Sequence, residues 1–405
     1  MDFKMKKTKL GVIGCGMISG AYLKAASRFR NIEIVAGSDI VPGRAAAKRD
    51  EFKEFGYSEE TFRAYDANPD GTNAELLSDP EIEVVLNLTP PKQHSRVDLE
   101  ILNAGKHAYS EKPFGVDADD AAKVVALAQK KGLRVGCAPD TFLGGRLQNI
   151  RELLDSGKLG RITGGGAWFV GHGHEFHHPA PAFFYQPGAG PLYDMGPYYM
   201  TALLSLLGPV KRVCAMATKA GETRTVPSGP SKGQVLPVDV DTHINAILEF
   251  VCGAQVTLTC SFDVWDSELP RMELYGTKGT VLINEKDPIS GPNLFGGETL
   301  MRTPEQYRWA DPERRPENVN TPWPVVPHSH PFNSVSHAEN PRGIGLIDMV
   351  QALHEGRTPR ASGDMALHSL EVMECILKSA HEHVFCEPTT SFAQPAPLPS
   401  DTAER

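Results

Sequence analysis

The chain has 405 residues, which is too long for one hydrophobic core and predicts two domains. Its 40% hydrophobic and 22% charged content is that of an ordinary globular protein. The net charge of −9 argues against a nucleic-acid partner, and the longest apolar runs are far too short to span a membrane. Seven cysteines without a Cys-x-x-Cys pair indicate a reducing compartment, so we expect a cytoplasmic protein.

The first predicted unit is a strand, a glycine turn and a helix. An apolar strand over residues 10–13 breaks into Gly14-x-Gly16-x-x-Ser19, and a helix is predicted over residues 20–29. The first glycine suits a tight turn, the second lets the backbone approach a pyrophosphate, and the third small residue lets helix pack on strand. The helix N-terminus would then face the phosphates. The expected contacts to this dinucleotide are Gly14, Gly16, Met17 and Ile18.

A second strand, over residues 31–37, ends in Ser38-Asp39. An acidic residue roughly 20 residues after the glycines suits a hydrogen bond to the adenosine ribose 2′-OH. Asp39 therefore favours NAD over NADP, although Arg44 lies close enough in sequence to weaken that preference. The alternative is a solvated aspartate in a turn.

Strands and helices go on alternating to about residue 140, which predicts an α/β fold with a doubly wound parallel sheet. Ligands of such sheets bind at the carboxyl ends of the strands. The predicted helices cover residues 42–55, 74–78, 94–104 and 117–131, and the strands cover residues 83–88, 106–110 and 133–137. The cofactor contacts expected after the strand over residues 83–88 are Thr89, Pro90 and His94.

Glu111-Lys112-Pro113 follows another strand end of the same sheet. An ammonium group near a nicotinamide and a hydroxyl would stabilise a developing alkoxide. Glu111 and Lys112 are therefore candidate cofactor contacts. The alternative is a surface lysine paired with Glu111, and position alone does not decide between the two.

The second half of the chain predicts an α+β domain on an open, largely antiparallel sheet. Its predicted helices cover residues 144–156, 191–207, 345–355 and 363–383, and its strands cover residues 164–170, 210–218, 240–250, 254–262, 271–276 and 279–284. We expect a dinucleotide-binding domain over residues 1–141, a substrate-binding and oligomerisation domain over 142–387, and a disordered Pro-rich tail over 388–405. The Pro/Gly/Asn-rich insertion, residues 285–343, would be ordered only by packing or partners.

Asp194, Tyr198 and Thr201 share one face of the predicted helix over residues 191–207, because they are spaced i, i+4 and i+7. Pro197 would either kink that helix or mark its start, so the shared face is conditional. The alternative for Tyr198 is a half-buried packing residue.

Together these motifs resemble the Gfo/Idh/MocA family (glucose–fructose oxidoreductase, inositol dehydrogenase). The resemblance spans roughly residues 8–285 and implies a Rossmann domain, a C-terminal domain with an open sheet, and reversible oxidation of sugars or cyclitols with NAD or NADP. In the family the lysine of Glu-Lys-Pro is catalytic, which implies that role for Lys112. The resemblance to the family rests on five motifs, which are Gly14-x-Gly16, Thr89-Pro90-x-x-x-His94, Gly105-Lys106-His107, Glu111-Lys112-Pro113 and Gly188-x-Gly190-x-x-x-Asp194-x-Gly196.

The chain departs from the family pattern after the motif aspartate. The family often has His four residues later and Asp three residues further on, where this chain has Tyr198 and Thr201. Branches that resemble sugar oxidoreductases and dihydrodiol dehydrogenases use Tyr there. The resemblance thus implies Lys112, Asp194 and Tyr198 as catalytic residues, with Tyr198 as the base and Asp194 as the fallback. Residues 138–142 also depart from the family pattern, which leaves the substrate open.

The histidine run His172-x-His174-Glu175-Phe176-His177-His178 could indicate a metal. However, its spacing is one residue short of the His-Glu-x-x-His zinc motif, and hydride transfer to nicotinamide needs no metal. We expect no metal, and a loop that packs at the site or hydrogen-bonds a polyol. The expected substrate contacts are Lys112, Asp140, His172, His174, Asp194 and Tyr198.

The leading hypothesis is an NAD(P)-dependent oxidoreductase that transfers a hydride between a nicotinamide and a secondary alcohol of a sugar, sugar derivative or cyclitol. The alternatives are a redox-neutral glycoside-processing enzyme with tightly bound NAD, and a non-catalytic nucleotide-sensing protein. An exposed sheet face would favour a homodimer or homotetramer. We expect no nucleic-acid or membrane partner.

Overall fold

The computed structural model describes residues 7–288, 291–307, 313, 321–336, 342–400 and 402, which form two compact units. Unit 1 holds the described residues up to Asp140 together with 342–370, and unit 2 holds the described residues from Thr141 to 336 and from Glu371 onward. The first boundary lies close to the expected one. Residues 342–370, which the sequence assigned to the second domain, belong to unit 1 instead.

Unit 1 contains a six-stranded sheet in the order β3-β2-β1-β4-β5-β6, and every pair of neighbours is parallel. This order confirms the predicted doubly wound Rossmann sheet. Sequence patterning missed β3, because its Arg-Ala-Tyr-Asp segment has no apolar run. The strands are β1 (Thr8–Ile13), β2 (Ile32–Asp39), β3 (Arg63–Asp66), β4 (Val84–Asn87), β5 (His107–Ser110) and β6 (Val135–Cys137).

The helices of unit 1 begin and end where local chemistry favours it. Helix α5 starts at an Asp117 side chain that accepts the N–H of Asp120, and it ends at Gly132 in the left-handed conformation. Helix α2 is shorter than predicted, because the chain tightens into a 3₁₀ turn over Lys53–Phe55. These helices are α1 (Ser19–Ala26), α2 (Arg44–Glu51), α3 (Ala74–Ser78), α4 (His94–Asn103) and α5 (Ala118–Lys131).

Unit 2 is built on an eight-stranded sheet in the order β16-β15-β14-β13-β7-β12-β11-β8. Only β7 and β12 pair in parallel among its described strands, so the largely antiparallel sheet is confirmed. Strands β9 and β10 form a separate hairpin. The strands are β7 (Ile162–Val170), β8 (Val210–Thr218), β9 (Thr223–Thr225), β10 (Val235–Pro237), β11 (His243–Phe250), β12 (Gln255–Ser261), β13 (Met272–Gly276), β14 (Gly279–Ile283), β15 (Thr299–Arg302) and β16 (Val325–Val326).

Strands β15 and β16 lie inside the insertion over residues 285–343 and extend the sheet from β14. Part of the insertion is therefore held by backbone pairing, which its Pro/Gly/Asn-rich composition did not predict. Residues 289–290, 308–312, 314–320 and 337–341 of this segment lie outside the described residues.

The predicted helix over residues 191–207 is two helices that meet at Met195. Pro197 lies in the first turn of the second helix, where a missing N–H costs nothing, so it marks a helix start. Every residue of that second helix is buried. The helices of this part of unit 2 are α6 (Gly145–Asp155), α7 (Gly190–Asp194) and α8 (Gly196–Leu207).

Two further helices, α9 (Ile344–Glu355) and α10 (Gly363–Glu382), match the predicted ones over residues 345–355 and 363–383. Their glycine boundaries made them predictable, because Gly356 ends α9 in the left-handed conformation. Among the described residues, no helix combines the length and apolarity that crossing a membrane requires.

The expected disorder of the tail is wrong for residues 388–400. The two carboxylate oxygens of Glu371 accept four hydrogen bonds of 2.5–2.8 Å from the backbone and hydroxyls of Thr389 and Thr390. Phe392 and Leu398 are also buried, with 9% and 4% exposure. A proline-rich composition predicts no regular element, yet this segment is held in place by hydrogen bonds to Glu371 and by the burial of its apolar side chains. Residues 401 and 403–405 lie outside the described residues.

Candidate active site

The glycine turn between β1 and α1 has the shape that a dinucleotide needs. Gly14 has φ +94°, and a Cβ there would lie 2.7 Å from the carbonyl oxygen of Leu88, so only glycine fits. At Gly16 an added Cβ would meet nothing within 4 Å, which leaves open space beside the backbone. The turn leads into the N-terminus of α1, where Ser19 Oγ donates to the Gly16 carbonyl at 2.7 Å. A pyrophosphate therefore fits beside Gly16 and the first turn of α1.

Asp39 lies at the end of β2 and is only 4% exposed, which excludes the solvated-turn alternative. Its Oδ2 accepts the Cys15 N–H and its Oδ1 accepts the Val41 N–H, both at 2.8 Å. Arg44 Nη1 lies 3.3 Å from Oδ1. The carboxylate is thus fixed beside the glycine turn, where the ribose of a bound dinucleotide would be recognised.

His94 was expected to contact the cofactor, but its ring is fully buried between two carbonyl groups. Nδ1 lies 2.6 Å from the Pro113 oxygen and Nε2 lies 2.6 Å from the Thr89 oxygen. Burial lowers its pKa, whereas the two carbonyl groups favour the protonated ring, which carries an N–H for each of them. His94 therefore links the loops after β4 and β5. Its ring has this packing role in place of the expected contact with the cofactor. Thr89 Oγ1 donates to Asn87 Oδ1 at 2.6 Å.

Lys112 is half-buried, and the neighbouring Glu111 is 7% exposed. Glu111 Oε1 accepts the Tyr22 hydroxyl at 2.8 Å and Oε2 accepts the backbone N–H of Lys112 at 2.9 Å. The carboxylate thereby shapes the turn that carries the lysine. Neither residue is fully exposed, so the alternative of a lysine on the open surface does not apply.

Asp140 was expected to bind substrate, and the structure gives it another role. Its Oδ2 accepts the N–H groups of Gly343 and Gly345, at 2.9 and 2.8 Å, at the N-terminus of α9. The residue is 4% exposed, and burial raises the pKa of its carboxyl group. Asp140 is therefore a helix cap supplied by a distant segment, which no local pattern could reveal.

In unit 2 the motif Asp194 is joined to the histidine run. Asp194 Oδ2 lies 2.7 Å from His174 Nε2, and His174 Nδ1 lies 3.1 Å from His177 Nε2. Tyr198, in the first turn of α8, is 4% exposed. Thr201 Oγ1 donates to the Pro197 carbonyl at 2.9 Å, within its own helix. Asp194 and His174 are thus hydrogen-bonded to each other, whereas the hydroxyl of Thr201 is bonded to the backbone of its own helix.

His172 belongs to a different cluster from His174, although both were expected to serve the substrate. Its ring stacks on Trp265, with 3.4 Å between ring centroids and 15° between planes. Burial, followed by the nearby charge of Arg224, lowers its pKa. Arg224 Nη1 donates to Glu175 at 2.9 Å, and its Nη2 also bonds Asp263.

Sequence reasoning missed this arginine, because β9, the short strand that carries it, has no periodic pattern. Within the described part of the chain, no group of three or more His, Cys, Asp and Glu side chains is placed to hold a metal ion. The absence of a metal stays a prediction.

Comparison with known proteins identifies the two units. A model described as oxidoreductase family, NAD-binding Rossmann fold, matches residues 8–138, and one described as GFO/IDH/MocA C-terminal domain matches residues 147–282. An inositol 2-dehydrogenase of Salmonella typhimurium is 32% identical over 157 residues, which are 38% of this chain and 43% of that protein. A trans-1,2-dihydrobenzene-1,2-diol dehydrogenase of Mus musculus is 27% identical over 276 residues, which are 68% of this chain and 74% of that protein.

Among solved structures, a levoglucosan dehydrogenase in complex with NADH aligns with a TM-score of 0.76 at 18% identity, covering 95% of this chain and all (100%) of that one. An NAD-binding oxidoreductase from Klebsiella pneumoniae gives the same values, and both likenesses show the fold. The match covers less than half of the inositol 2-dehydrogenase, so the assignment to a family rests on the two domain models. The chain belongs to the Gfo/Idh/MocA family of oxidoreductases, with an NAD-binding Rossmann domain followed by the family's C-terminal domain.

Proposed function

We propose that this protein is an NAD-dependent dehydrogenase that reversibly oxidises a secondary alcohol of a sugar, sugar derivative or cyclitol. The observation that carries the proposal is the polar cluster of unit 2. There a carboxylate, Asp194, is bonded to His174 and lies four residues before the buried Tyr198. Convergent polar groups in an otherwise apolar frame suit a ligand with several hydroxyl groups.

The relatives support the same substrate class. The curated relatives are named for inositol and for a dihydrodiol, and one aligned structure is named for levoglucosan. All three names denote compounds with secondary alcohols. The buried Asp39 supports NAD over NADP, because its negative charge would repel a 2′-phosphate.

In this proposal the turn at Gly14 and Gly16 together with Asp39 would hold NAD⁺, and the bound nicotinamide would supply the hydride acceptor. The chain's own groups handle the proton and the charge. The phenolate form of Tyr198 would accept the hydroxyl proton as the alcohol carbon loses its hydride, which leaves a phenol and a C=O group, with Asp194 as the fallback base. The family resemblance would give Lys112 the task of stabilising the negative charge that develops on the alcohol oxygen.

The test is a panel of sugars, anhydrosugars, cyclitols and dihydrodiols, each offered with NAD⁺ and with NADP⁺. We expect stoichiometric formation of reduced nicotinamide, detected by its absorbance, and none with Lys112→Met. A protein that converts a glycoside while its bound cofactor shows no net change would be a redox-neutral enzyme instead. Failure of every compound to reduce either cofactor would contradict the proposed dehydrogenase.

We also propose that unit 2 forms a homodimer or homotetramer through its sheet. Met216 and Ile247, on the adjacent strands β8 and β11, are 76% and 50% exposed. Large exposed apolar side chains on one sheet face favour a partner surface. Light scattering should give a multiple of the chain mass, and Ile247→Asp should reduce it. A wild-type protein that stays monomeric at micromolar concentration would contradict this assignment.

A further inference from the structure

Asp194 is the last residue of α7, a helix of five residues, and α8 begins at Gly196, directly after Met195. The backbone fixes the position of its Cα but not the rotation of its side-chain bonds. Groups around the carboxylate therefore set its orientation, and one of them is His174, which lies 20 residues earlier in the chain.

The ring of His174 is itself held on several sides. Its centroid lies 4.0 Å from that of Phe184, with 33° between the planes, and 5.1 Å from that of Phe262 in an edge contact. Its two nitrogens face Asp194 and His177. The side chain is 19% exposed. A ring packed between aromatic side chains and bonded through both nitrogens has little rotational freedom.

The partners also determine where the hydrogens lie. A carboxylate only accepts, so Nε2 of His174 must carry the hydrogen that reaches Asp194 Oδ2. Nδ1 of His174 and Nε2 of His177 lie 3.1 Å apart, so one of these two nitrogens donates to the other. Burial, followed by the nearby His174 and His178, lowers the pKa of His177, which favours a neutral His177 ring. The hydrogen bond from His174 to Asp194 does not depend on which of the two histidines donates to the other.

We propose that His174 is a positioning residue for the dehydrogenation, because its Nε2–H holds the Asp194 carboxylate in the orientation in which it serves the substrate hydroxyl. This inference rests on the proposed function and deepens it. It also changes the expected role of His174, whose ring nitrogens are engaged within the protein and do not bind a polyol.

Two substitutions separate hydrogen bonding from mere filling of space. His174→Gln places an amide nitrogen near the position of Nε2 and can still donate to Asp194. His174→Asn places its amide near Nδ1 and cannot reach Asp194. We expect His174→Gln to keep kcat within about fivefold of wild type and His174→Asn to lose about 10²-fold, the scale of a misplaced catalytic group. KM for NAD⁺ should stay unchanged in both.

His178→Asn is the matched control. His178 lies in the same run, but its Nδ1 accepts the N–H of Ala180 at 3.1 Å, a role that an asparagine oxygen can take over. This variant should keep the wild-type kcat and KM. Thermal melting of all three variants checks that each one folds.

A second measurement requires no substrate. In protein labelled with ¹⁵N-histidine, the His174 Nε2–H should give a proton signal protected from exchange, and Asp194→Ala should abolish it. Equal losses of kcat in the Gln and Asn variants, or a signal indifferent to Asp194→Ala, would overturn the inference. If the wild type reduces no nicotinamide with any polyol, the proposed function fails, and the positioning role fails with it even where the signal confirms the bond.

Discussion

The carboxylate of Asp39 accepts the backbone N–H of Cys15 at 2.8 Å, so the end of β2 holds the turn between the two glycines. One buried side chain thus has two tasks. It fixes the turn at which a pyrophosphate would bind, and it places a negative charge where the ribose is recognised. Arg44, 46% exposed and 3.3 Å from Oδ1, is the nearby positive group.

The first prediction concerns cofactor choice. Asp39→Asn keeps an oxygen that can accept the Cys15 N–H, but it removes the charge that disfavours a 2′-phosphate. We expect the wild type to prefer NAD⁺ and the variant to lower the NAD⁺/NADP⁺ ratio of kcat/KM by about tenfold, which corresponds to about 1.4 kcal/mol. Arg44→Ala should reduce the residual use of NADP⁺ and leave NAD⁺ unchanged. A wild type that uses NADP⁺ equally well or better would refute the preference.

The second prediction concerns Lys112. Lys112→Met removes the ammonium group and keeps most of the side-chain volume. If this group stabilises the developing alkoxide, kcat should fall by about 10²–10⁴-fold, while the Kd for NADH changes by less than about threefold. Lys112→Arg should recover only part of the loss, because a guanidinium is larger and planar. Fluorescence titration with NADH, beside steady-state kinetics, separates binding from chemistry. A large change in NADH affinity with little change in kcat would make Lys112 a cofactor contact only.

The third prediction concerns Asp98, a fully buried residue of α4 whose Oδ1 accepts Asn87 Nδ2 at 2.8 Å. Burial raises the pKa of Asp98 from 3.8 to about 7. The folded state therefore binds more protons than the unfolded state between those values, so its stability should fall as the pH rises from about 4 to about 7. The loss is at most about 4 kcal/mol. Urea unfolding of the wild type at pH values within and above this window measures it, and Asp98→Asn should flatten the dependence. An unchanged slope in the variant would exclude Asp98 as its source.

The fourth prediction concerns metals. The histidine run lacks a recognised ligand spacing, and His172 and His174 lie in separate clusters. We therefore expect EDTA to leave activity unchanged. Loss of activity in EDTA that zinc or another divalent ion specifically restores would contradict this expectation, and manganese and magnesium serve as comparison ions.

The fold of unit 1 was predictable because its signals are local. The turn at Gly14 leads from an apolar strand into a helix, and Asp39 ends the next strand, so the order of residues alone indicates the fold. The short strands over Arg63–Asp66, Thr223–Thr225 and Val325–Val326 were not predictable, because two to four polar or partly exposed residues are too few to show a period.

The roles of individual side chains were less predictable than the elements that carry them. Asp140 accepts N–H groups from residues more than 200 positions away, at separations of 203 and 205. The pairing of His174 with Asp194 likewise depends on how a loop folds back onto α7. Both aspartates were expected from the sequence to contact the substrate, but only tertiary structure assigns Asp140 to a helix cap and Asp194 to the polar cluster.

The last prediction decides which group takes the proton. Tyr198 occupies the position four residues after Asp194, and Tyr198→Phe removes only the hydroxyl of a side chain that is 4% exposed, so packing should be kept. If Tyr198 is the base, kcat should fall by about 10²–10⁴-fold with NAD⁺ affinity nearly unchanged. Asp194→Asn is the matched comparison, because its amide oxygen can still accept the Nε2–H of His174. It should then cost less than Tyr198→Phe. If Tyr198→Phe keeps a near-wild-type kcat and Asp194→Asn does not, the base is Asp194, and Tyr198 is a packing residue of α8.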